Sequence, residues 1–293
     1  MTAISSINII YNPNSTGSGK ELATRLAADL HKALPGLKVS LIKTKHAGHA
    51  ETLAYDLARA TKRPMIISVS GDGGYHEVIN GLLRAQAEGA KPIAGLLPAG
   101  NANDHFHNTH EGDLVENIVQ GKVRQIDIFK LVATLDGQPF IRYAHSYIGF
   151  GLTPKIGREL NKTQLNRLNE IGIVLRGLVK LKPTRLKING KMRSYDSVIF
   201  SNVATMSKVL SVPDHATNDD GTFEVSMFRR RNTLQLFMLL LRASLAGLKG
   251  TKASQYTLQT VRPTVVQLDG EIFTLDACTV SITLEPRHLS CII

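Results

Sequence analysis

Three short segments combine glycines with small polar side chains, and each follows a run of apolar residues. They are residues 12–20 (Asn-Pro-Asn-Ser-Thr-Gly-Ser-Gly-Lys), residues 68–81 (Ser-Val-Ser-Gly-Asp-Gly-Gly-Tyr-His-Glu-Val-Ile-Asn-Gly) and residues 97–104 (Leu-Pro-Ala-Gly-Asn-Ala-Asn-Asp). Glycines between a strand and a helix leave backbone N–H groups open to an anion. Phosphate binding is therefore the chemistry that these segments could carry, although each one alone also fits a tight turn between a strand and a helix.

The first loop departs from the two best-known phosphate-binding patterns. A P-loop requires glycine where Asn14 stands, and serine or threonine where Glu21 follows the lysine. The dinucleotide fingerprint requires a third glycine where Leu22 stands. The loop therefore belongs to neither pattern.

Acidic residues beside glycines form a second group. The triplet Asp269-Gly270-Glu271 follows a predicted strand at 264–268, and Asp-Gly is a strong hairpin signal. The segment Asp219-Asp220-Gly221-Thr222 precedes another predicted strand. From the residues alone, both segments are first of all turns.

The predicted elements place the three loops at one edge of a sheet. Strands at 7–11, 37–43, 64–69 and 93–97 alternate with helices at 20–34, 49–60 and 75–87. This order predicts a parallel sheet with helices on both faces. Each loop follows a strand, and ligands of open α/β sheets bind at the carboxyl ends of strands.

After residue 124 the pattern changes to strands separated by turns, interrupted by two helical stretches at 154–181 and 233–249. We therefore expect an α/β N-terminal domain with a parallel sheet (1–124) and a mainly antiparallel β domain (125–293). The last stretch, about 20 residues long, could return to the first domain.

The net charge requires an anionic partner. The chain has 35 Lys and Arg against 24 Asp and Glu, a formal charge of +11, which suits nucleic acid, an anionic membrane surface or phosphates. It lacks Trp and carries no basic helix with a recognisable reading motif, so we expect no nucleic acid. Two cysteines, and a start without a signal-peptide pattern, predict a cytoplasmic protein.

Taken together, the loops resemble the catalytic family of diacylglycerol kinases, which also contains bacterial lipid kinases and the sphingosine and ceramide kinases. The family pattern Gly-Gly-Asp-Gly-Thr followed by x-x-Glu-Val-x-Asn-Gly is similar to residues 70–81, and Leu-Pro-x-Gly-Thr-x-Asn-Asp-Phe is similar to residues 97–105. The pattern Asn-Pro-x-Ser-Gly-x-Gly-Lys is similar to residues 12–20 with one extra residue. The resemblance continues to the acidic segments at 219–221 and 269–271. It implies an NAD kinase-like nucleotide domain followed by a β-sandwich, in an ATP-dependent kinase of a diacylglycerol-like lipid.

The resemblance also implies roles for individual residues. Glu271 would be the general base, with Asp269 and Asp72 as further catalytic residues that orient the alcohol or approach the Mg²⁺ of the nucleotide. A second Mg²⁺ would be held by Asp220 with Thr217 and Thr222 on either side. The residues that match nucleotide-binding positions are Asn12, Thr44, Ser70, Gly71, Asp72, Gly73, Gly74, Tyr75, His76, Asn101, Asn103 and Asp104.

Four positions depart from the family pattern. Ser70 replaces a glycine, Gly74 and Asn101 each replace a threonine, and His105 replaces an aromatic residue. Two hydroxyl groups expected near ATP are therefore missing, which bears on nucleotide affinity rather than on the fold. The spacing of His105, His107 and His110 also raises the question of a metal, but no Cys or acidic ligand set accompanies them.

Residues 233–249 carry leucines and Phe237 at helical spacing, flanked by Arg and Lys. Such a segment either covers the second domain or docks on anionic lipid, which would make the protein peripherally membrane-associated. A homodimer is compatible with the sequence. Two other functions stay open: an NAD kinase-like kinase of a small molecule, and a nucleotide- or lipid-binding protein whose loop substitutions have impaired catalysis.

Overall fold

The computed structural model describes residues 4–15, 17–154, 183–203, 205–206, 210–211, 219–229 and 250–293. Thr217 and nearly all of the two stretches predicted to be helical, at 154–181 and 233–249, lie outside these residues. The chain divides into two units: Met1–Asp127 with Arg287–Ile293, and Ile128–Pro286. No helix in the described ranges is both long and apolar enough to cross a membrane.

Unit 1 is built on a parallel sheet in the order β2-β1-β3-β4-β17. Its last strand comes from the end of the chain, where Cys291 pairs with Ala94. This confirms the predicted parallel α/β sheet. The elements are β1 (Ser6–Tyr11), α1 (Gly19–Ala33), β2 (Val39–Lys43), α2 (His49–Ala60), β3 (Pro64–Ser70), α3 (Asp72–Ala87), β4 (Ile93–Pro98), α4 (Asp104–Thr109), α5 (Leu114–Gln120) and β17 (Thr279–Ile292), of which only the end lies in unit 1.

The central strand β3 is buried along its whole length, as its continuous apolar run predicts. Helix α1 covers one side of the sheet through Leu26 and Leu30, which pack with Ile7 and Ile67 in one apolar core. The strand ends that carry the glycine loops are therefore fixed by core packing rather than by the loops themselves.

Unit 2 is mainly antiparallel, as expected, with strands in the order β16-β15-β7-β9-β8-β14-β17 and with β12 also pairing β9. Its elements are β5 (Val123–Leu135, from Ile128 onward), β6 (Gln138–Ala144), β7 (Tyr147–Gly151), β8 (Thr184–Ile188), β9 (Lys191–Ser201), β10 (Thr205–Met206), β11 (Leu210–Ser211), β12 (Phe223–Arg229), β13 (Thr251–Ala253), β14 (Gln255–Thr260), β15 (Thr264–Leu268), β16 (Glu271–Leu275) and β17 up to Pro286.

Aromatic side chains fill the core of unit 2. Phe223 packs against Phe129 and Phe200, with ring centroids 5.1 and 5.9 Å apart. All three rings are buried. Because inward-facing residues alternate with outward-facing ones along these strands, the register of each hairpin is fixed by what it buries.

Helices α2 and α3 touch through Gly81. A Cβ at this position would meet the backbone oxygen of Glu51 and would lie 2.9 Å from the Cβ of Ala54 and 3.0 Å from the N of Tyr55. The close approach requires a residue without a side chain, although glycine lowers the helix propensity of α3.

We predict that Gly81→Ala lowers the free energy of unfolding by about 1–2 kcal/mol. Overpacking against α2 costs about 1–3 kcal/mol, and the better helix propensity of Ala recovers part of this. Chemical denaturation measures the change. Gly36→Ala is the matched control, because a Cβ at Gly36 would meet no atom within 4 Å. Equal stability of both variants would contradict the proposed close packing.

Candidate active site

The three glycine loops lie side by side in unit 1. A Cβ on Gly71, after β3, would lie 3.0 Å from the Cα of Gly100, after β4, and a Cβ on Gly100 would meet the Cα of Gly71. The N–H of Ala99 donates to the carbonyl of Ser70 at 2.9 Å, and the N–H of Gly17 donates to the carbonyl of Ala99 at 3.1 Å. Glycine is thus required at the point where the loops meet.

Asp72 joins the second loop to the third. Its carboxylate accepts hydrogen bonds from the N–H groups of Asp104 (3.2 Å) and His105 (3.3 Å), at the start of α4. A carboxylate is well suited to the N-terminus of a helix, where N–H groups lack partners and the dipole is positive. The described contacts of Asp72 therefore hold two loops together.

Asn103 shapes the third loop from within. It adopts a left-handed conformation with φ of 53°. Its side-chain amide accepts from the N–H of Gly100 at 3.0 Å and donates to the carbonyl of Gly100 at 2.9 Å. Asn tolerates this conformation better than most residues do. Asn101, by contrast, is exposed.

Two departures from the family pattern compensate each other. A Cβ on Gly74 would lie 2.6 Å from both the Cβ and the Oγ of Ser70. A side chain at position 70 therefore excludes one at position 74, whereas a glycine at 70 would leave room for it. The Ser70 hydroxyl is itself placed by a 2.7 Å hydrogen bond with Ser68. The exchange places a hydroxyl at the end of β3 instead of in the first turn of α3.

Helix α3 begins directly after Gly71, which offers no side-chain cap. The first N–H groups of a helix have no intrahelical acceptors, so those of Gly73 and Gly74 are suited to an anion. The side chains of Tyr75 and His76 are 0% and 1% exposed. If these two residues meet a nucleotide, they do so through their backbone.

The first two strands end in ordered turns. The N–H of Thr44 donates to the carbonyl of Tyr11 at 2.9 Å, and the side chain of Asn12 accepts from the N–H of Asn14 at 2.9 Å. Glu77 accepts from the N–H groups of Gly48 (2.7 Å) and Ala50 (3.1 Å), at the start of α2. The sequence around Glu77 does not reveal this role, because its partners are about 30 residues away.

In unit 2, Asp269 occupies the turn between β15 and β16, where Leu268 pairs with Glu271. It is left-handed, with φ of 50°, and its side chain is fully buried. Oδ1 accepts from the N–H groups of Ser146 (2.8 Å) and Tyr147 (3.2 Å), and Oδ2 accepts from that of His145 (3.1 Å). The carboxylate anchors the turn, a function that the Asp-Gly signal alone does not predict.

His145 is a site residue that the sequence did not reveal. Its Nε2 lies 3.3 Å from Oδ2 of Asp269, and its Nδ1 lies 2.8 Å from the hydroxyl of Ser146. Both side chains of the His145–Asp269 pair are fully buried. Glu271, two residues after Asp269, is half-buried at the first position of β16, so the anchored turn determines where its carboxylate lies.

Asp220 has both carboxylate oxygens engaged. Oδ1 accepts from the N–H and the hydroxyl of Thr222, each at 2.9 Å, and Oδ2 accepts from the ammonium of Lys252 at 2.9 Å. Burial opposes ionisation, but these hydrogen bonds outweigh it and hold the pKa of Asp220 below its ordinary value. The same contact raises the pKa of Lys252. In this arrangement the carboxylate oxygens of Asp220 accept from an ammonium group and from Thr222, and they do not fit a Mg²⁺ ion. Because Thr217 lies outside the described residues, the metal assignment stays a prediction.

The three histidines around α4 take part in aromatic ring contacts. Among the described residues, no group of three His, Cys, Asp or Glu side chains is placed to hold a metal ion. His105 is fully buried, and His110 stacks on Phe106 with ring centroids 4.5 Å apart. Burial lowers the pKa of His110 to about 4, so this ring is neutral at physiological pH. The rings of His105, His110 and Phe106 therefore pack together beside the third loop.

Comparison with solved structures first defines the fold. The chain is similar to yeast NADH kinase in complex with NADH, with a TM-score of 0.54, 10% identity, and coverage of 99% of this chain and 84% of that one. It is also similar to a diacylglycerol kinase from Bacillus anthracis, with a TM-score of 0.72, 20% identity, and coverage of 100% and 98%. The fold is therefore the NAD kinase-like fold shared by these two kinases.

Comparison of sequences then gives the family. Residues 6–131 match the family model "Diacylglycerol kinase catalytic domain". The chain is 26% identical to the diacylglycerol kinase of Bacillus subtilis, over 90% of this chain and 88% of that protein. It is 28% identical to that of Staphylococcus aureus, over 80% and 74%. Residues 6–131 are therefore similar to the catalytic domain of diacylglycerol kinases, in agreement with the resemblance of the loops.

We predict that Asp269→Ala lowers the free energy of unfolding by about 3–5 kcal/mol, because three buried N–H groups lose the carboxylate that accepts their hydrogen bonds. Asp136→Ala is the control. Asp136 also opens an Asp-Gly hairpin turn with a left-handed φ, of 51°, but its side chain is exposed. Replacement of Asp136 should lower the free energy of unfolding by about 1 kcal/mol, because Ala tolerates the left-handed conformation less well. Equal losses in urea denaturation would contradict the anchoring role.

Proposed function

We propose that this protein is a kinase that transfers the γ-phosphate of ATP to the hydroxyl group of a diacylglycerol-like lipid. The observation that carries the proposal is the meeting of three glycine loops at the carboxyl edge of the parallel sheet, in a chain whose residues 6–131 match the family. Such an edge is where open α/β sheets bind ligands.

The nucleotide is proposed to bind along these loops. The backbone N–H groups of Gly73 and Gly74 at the start of α3 would contact phosphate oxygens, and the absence of side chains there allows close approach. The proposed contacts of the nucleotide are Asn12, Thr44, Asn101, Asn103 and the loop residues from Ser70 to His76. The hydroxyl that the family offers from position 74 would come instead from Ser70, the last residue of β3.

Magnesium enters the proposal only as part of the MgATP substrate, in which it offsets the charge of the phosphates. Asp72 and Asp104 are acidic residues of the second and third loops, and the carboxylate of Asp72 already accepts hydrogen bonds from two N–H groups. We derive no step through an ion at Asp220, because its carboxylate accepts from Lys252.

Glu271 is proposed as the general base. It would take the proton of the lipid hydroxyl while the hydroxyl oxygen forms a bond to the γ-phosphorus and the bond from that phosphorus to the bridging oxygen breaks, releasing ADP. The buried Asp269 would act as a positioning residue for Glu271 rather than as a second base, because its oxygens are already occupied by three N–H groups.

The acceptor is proposed from the relatives, which are named diacylglycerol kinases. The fold shared with yeast NADH kinase supports one alternative, a kinase of a soluble dinucleotide. A binding protein without activity is the other alternative, and the retained acids Asp72 and Glu271 argue against it. Association with an anionic membrane surface, a cytoplasmic location and a homodimer also remain proposals.

Labelled ATP offered with either a total lipid extract or NAD(H) separates these functions. We expect label in a lipid phosphate monoester, with no label in the dinucleotide. Label in NADP(H) alone would replace the proposal with the dinucleotide kinase, and absence of label from both would support the inactive binding protein. Identification of the labelled product by mass spectrometry names the lipid.

We predict that Glu271→Gln lowers kcat by about 10²–10⁴-fold, the usual contribution of a general base, while the Kd for ATP stays within about threefold. Glu285→Gln serves as a control, because Glu285 is a partly exposed carboxylate of the same unit that pairs with Lys130 at 3.7 Å. It should leave kcat nearly unchanged. Near-normal turnover of the Glu271 variant would reject the assignment.

A further inference from the structure

A second concave surface lies at the opposite edge of the unit 1 sheet. It is a groove of about 1190 Å³. We call it the basal groove and define it by Arg59, Lys62, Arg63, Glu88, Lys91 and Arg287. These residues come from the last turn of α2, from the turns that precede β3 and β4, and from the end of β17. The glycine loops follow β3 and β4, so the basal groove is separate from the proposed nucleotide site.

The charge of the basal groove is strongly unbalanced. Five Arg and Lys side chains line it, against the single carboxylate of Glu88. That carboxylate is already engaged: it accepts from the hydroxyl of Tyr55 at 2.7 Å and pairs with Arg59 at 3.4 Å. A concave surface lined by one sign of charge concentrates the field and attracts counter-ions.

Three of the cations have no carboxylate partner among the residues that the structure describes. Within the part of the chain that the structure describes, Lys62, Lys91 and Arg287 take part in no ion pair, and the side chains of all three are exposed. Like charges that share a groove repel each other, so folding gains nothing from placing them together. A ligand that neutralises these charges would remove the repulsion between them.

Helix ends do not account for this cluster. Cations in the last turn of a helix interact favourably with its terminal carbonyl groups, and Arg59 in the last turn of α2 is explained in this way. Lys62 and Lys91 stand in the turns beyond the helices, and Arg287 stands on a strand. These three therefore need another explanation.

Arg287 is held in an unusual backbone conformation. Its φ is 48°, in the left-handed region, which costs a residue with a side chain on the order of 1 kcal/mol. Its N–H donates to Oδ1 of Asp127 at 2.7 Å, and Asp127 is fully buried. A buried carboxylate thus fixes the backbone from which a groove cation extends.

We propose that the basal groove binds a ligand that carries two or more phosphate groups. Arg presents a planar set of donors that matches phosphate oxygens, and Lys presents a point charge, so this mixture of side chains suits phosphates. The volume exceeds that of a single phosphate ion. The ligand comes either from the headgroups of anionic phospholipids in a bilayer or from a free polyphosphate. The site goes beyond the proposed kinase reaction, because it shares no residue with it.

The experiment compares two pairs of substitutions that change net charge equally. Lys62→Glu with Lys91→Glu reverses the groove, and Lys32→Glu with Lys38→Glu reverses two exposed lysines elsewhere in unit 1. Lys62→Gln with Lys91→Gln is a milder second variant. Circular dichroism and thermal unfolding verify that each protein is folded. Inorganic tripolyphosphate is titrated by calorimetry with excess ADP present, and vesicles of phosphatidylglycerol or phosphatidylcholine are co-sedimented with each protein.

We expect both groove variants to weaken binding of one probe, by about tenfold or more for the Glu pair, since two charge-assisted contacts are lost. The control pair should bind like the unmodified chain. If the groove variants lose affinity for tripolyphosphate, the ligand is a free polyphosphate. If they lose affinity only for phosphatidylglycerol vesicles, the ligand is a lipid headgroup. The proposal is overturned if the unmodified chain binds neither probe, or if the control pair loses as much affinity as the groove pair. The lipid phosphorylation assay is independent of this result, so failure of one proposal does not imply failure of the other.

Discussion

The candidate nucleotide site depends on the contact between Gly71 and Gly100. Because neither residue has a side chain, the ends of β3 and β4 approach until the Cα atoms leave no space for a Cβ. The other features of the edge follow from this contact. The N–H of Ala99 can donate to the carbonyl of Ser70, and the N–H of Gly17 can donate to the carbonyl of Ala99. The carboxylate of Asp72 can accept from the first N–H groups of α4. The buried strands bring the loops to one edge, and the two glycines let them touch.

The exchange at positions 70 and 74 shows how such a site varies without loss of shape. Each departure from the family pattern, taken alone, suggests a damaged loop. In three dimensions the two positions share one space, so a side chain at one requires glycine at the other. The loop keeps its volume and one hydroxyl. Residues in contact do not vary independently, so substitutions at positions 70 and 74 should have coupled effects.

Similar turn sequences perform different tasks in unit 2. Asp136-Gly137, Asn189-Gly190 and Asp269-Gly270 each connect antiparallel strands, and the first residue of each pair is left-handed. The first two turns are exposed, whereas the carboxylate of Asp269 is buried against three N–H groups and a histidine. The dipeptide determines that a turn forms. The surroundings of the Asp side chain determine whether it also anchors a neighbouring segment, as Asp269 does for the strand that carries Glu271.

The sequence by itself determined the alternation of helices and strands, the parallel and antiparallel sheets, and the order of the loops, because periodicity and glycine placement are local properties. The roles of Glu77, Asp72 and His145 came only from the tertiary structure, since their partners lie far along the chain or depend on hydrogen-bond geometry. The basal groove was equally hidden: Lys62, Lys91 and Arg287 are distant in sequence, and only the folding of αβ turns and the final strand onto one edge brings them together. Tertiary structure also decided which histidines around α4 are buried, because spacing along a chain does not say which rings face the interior.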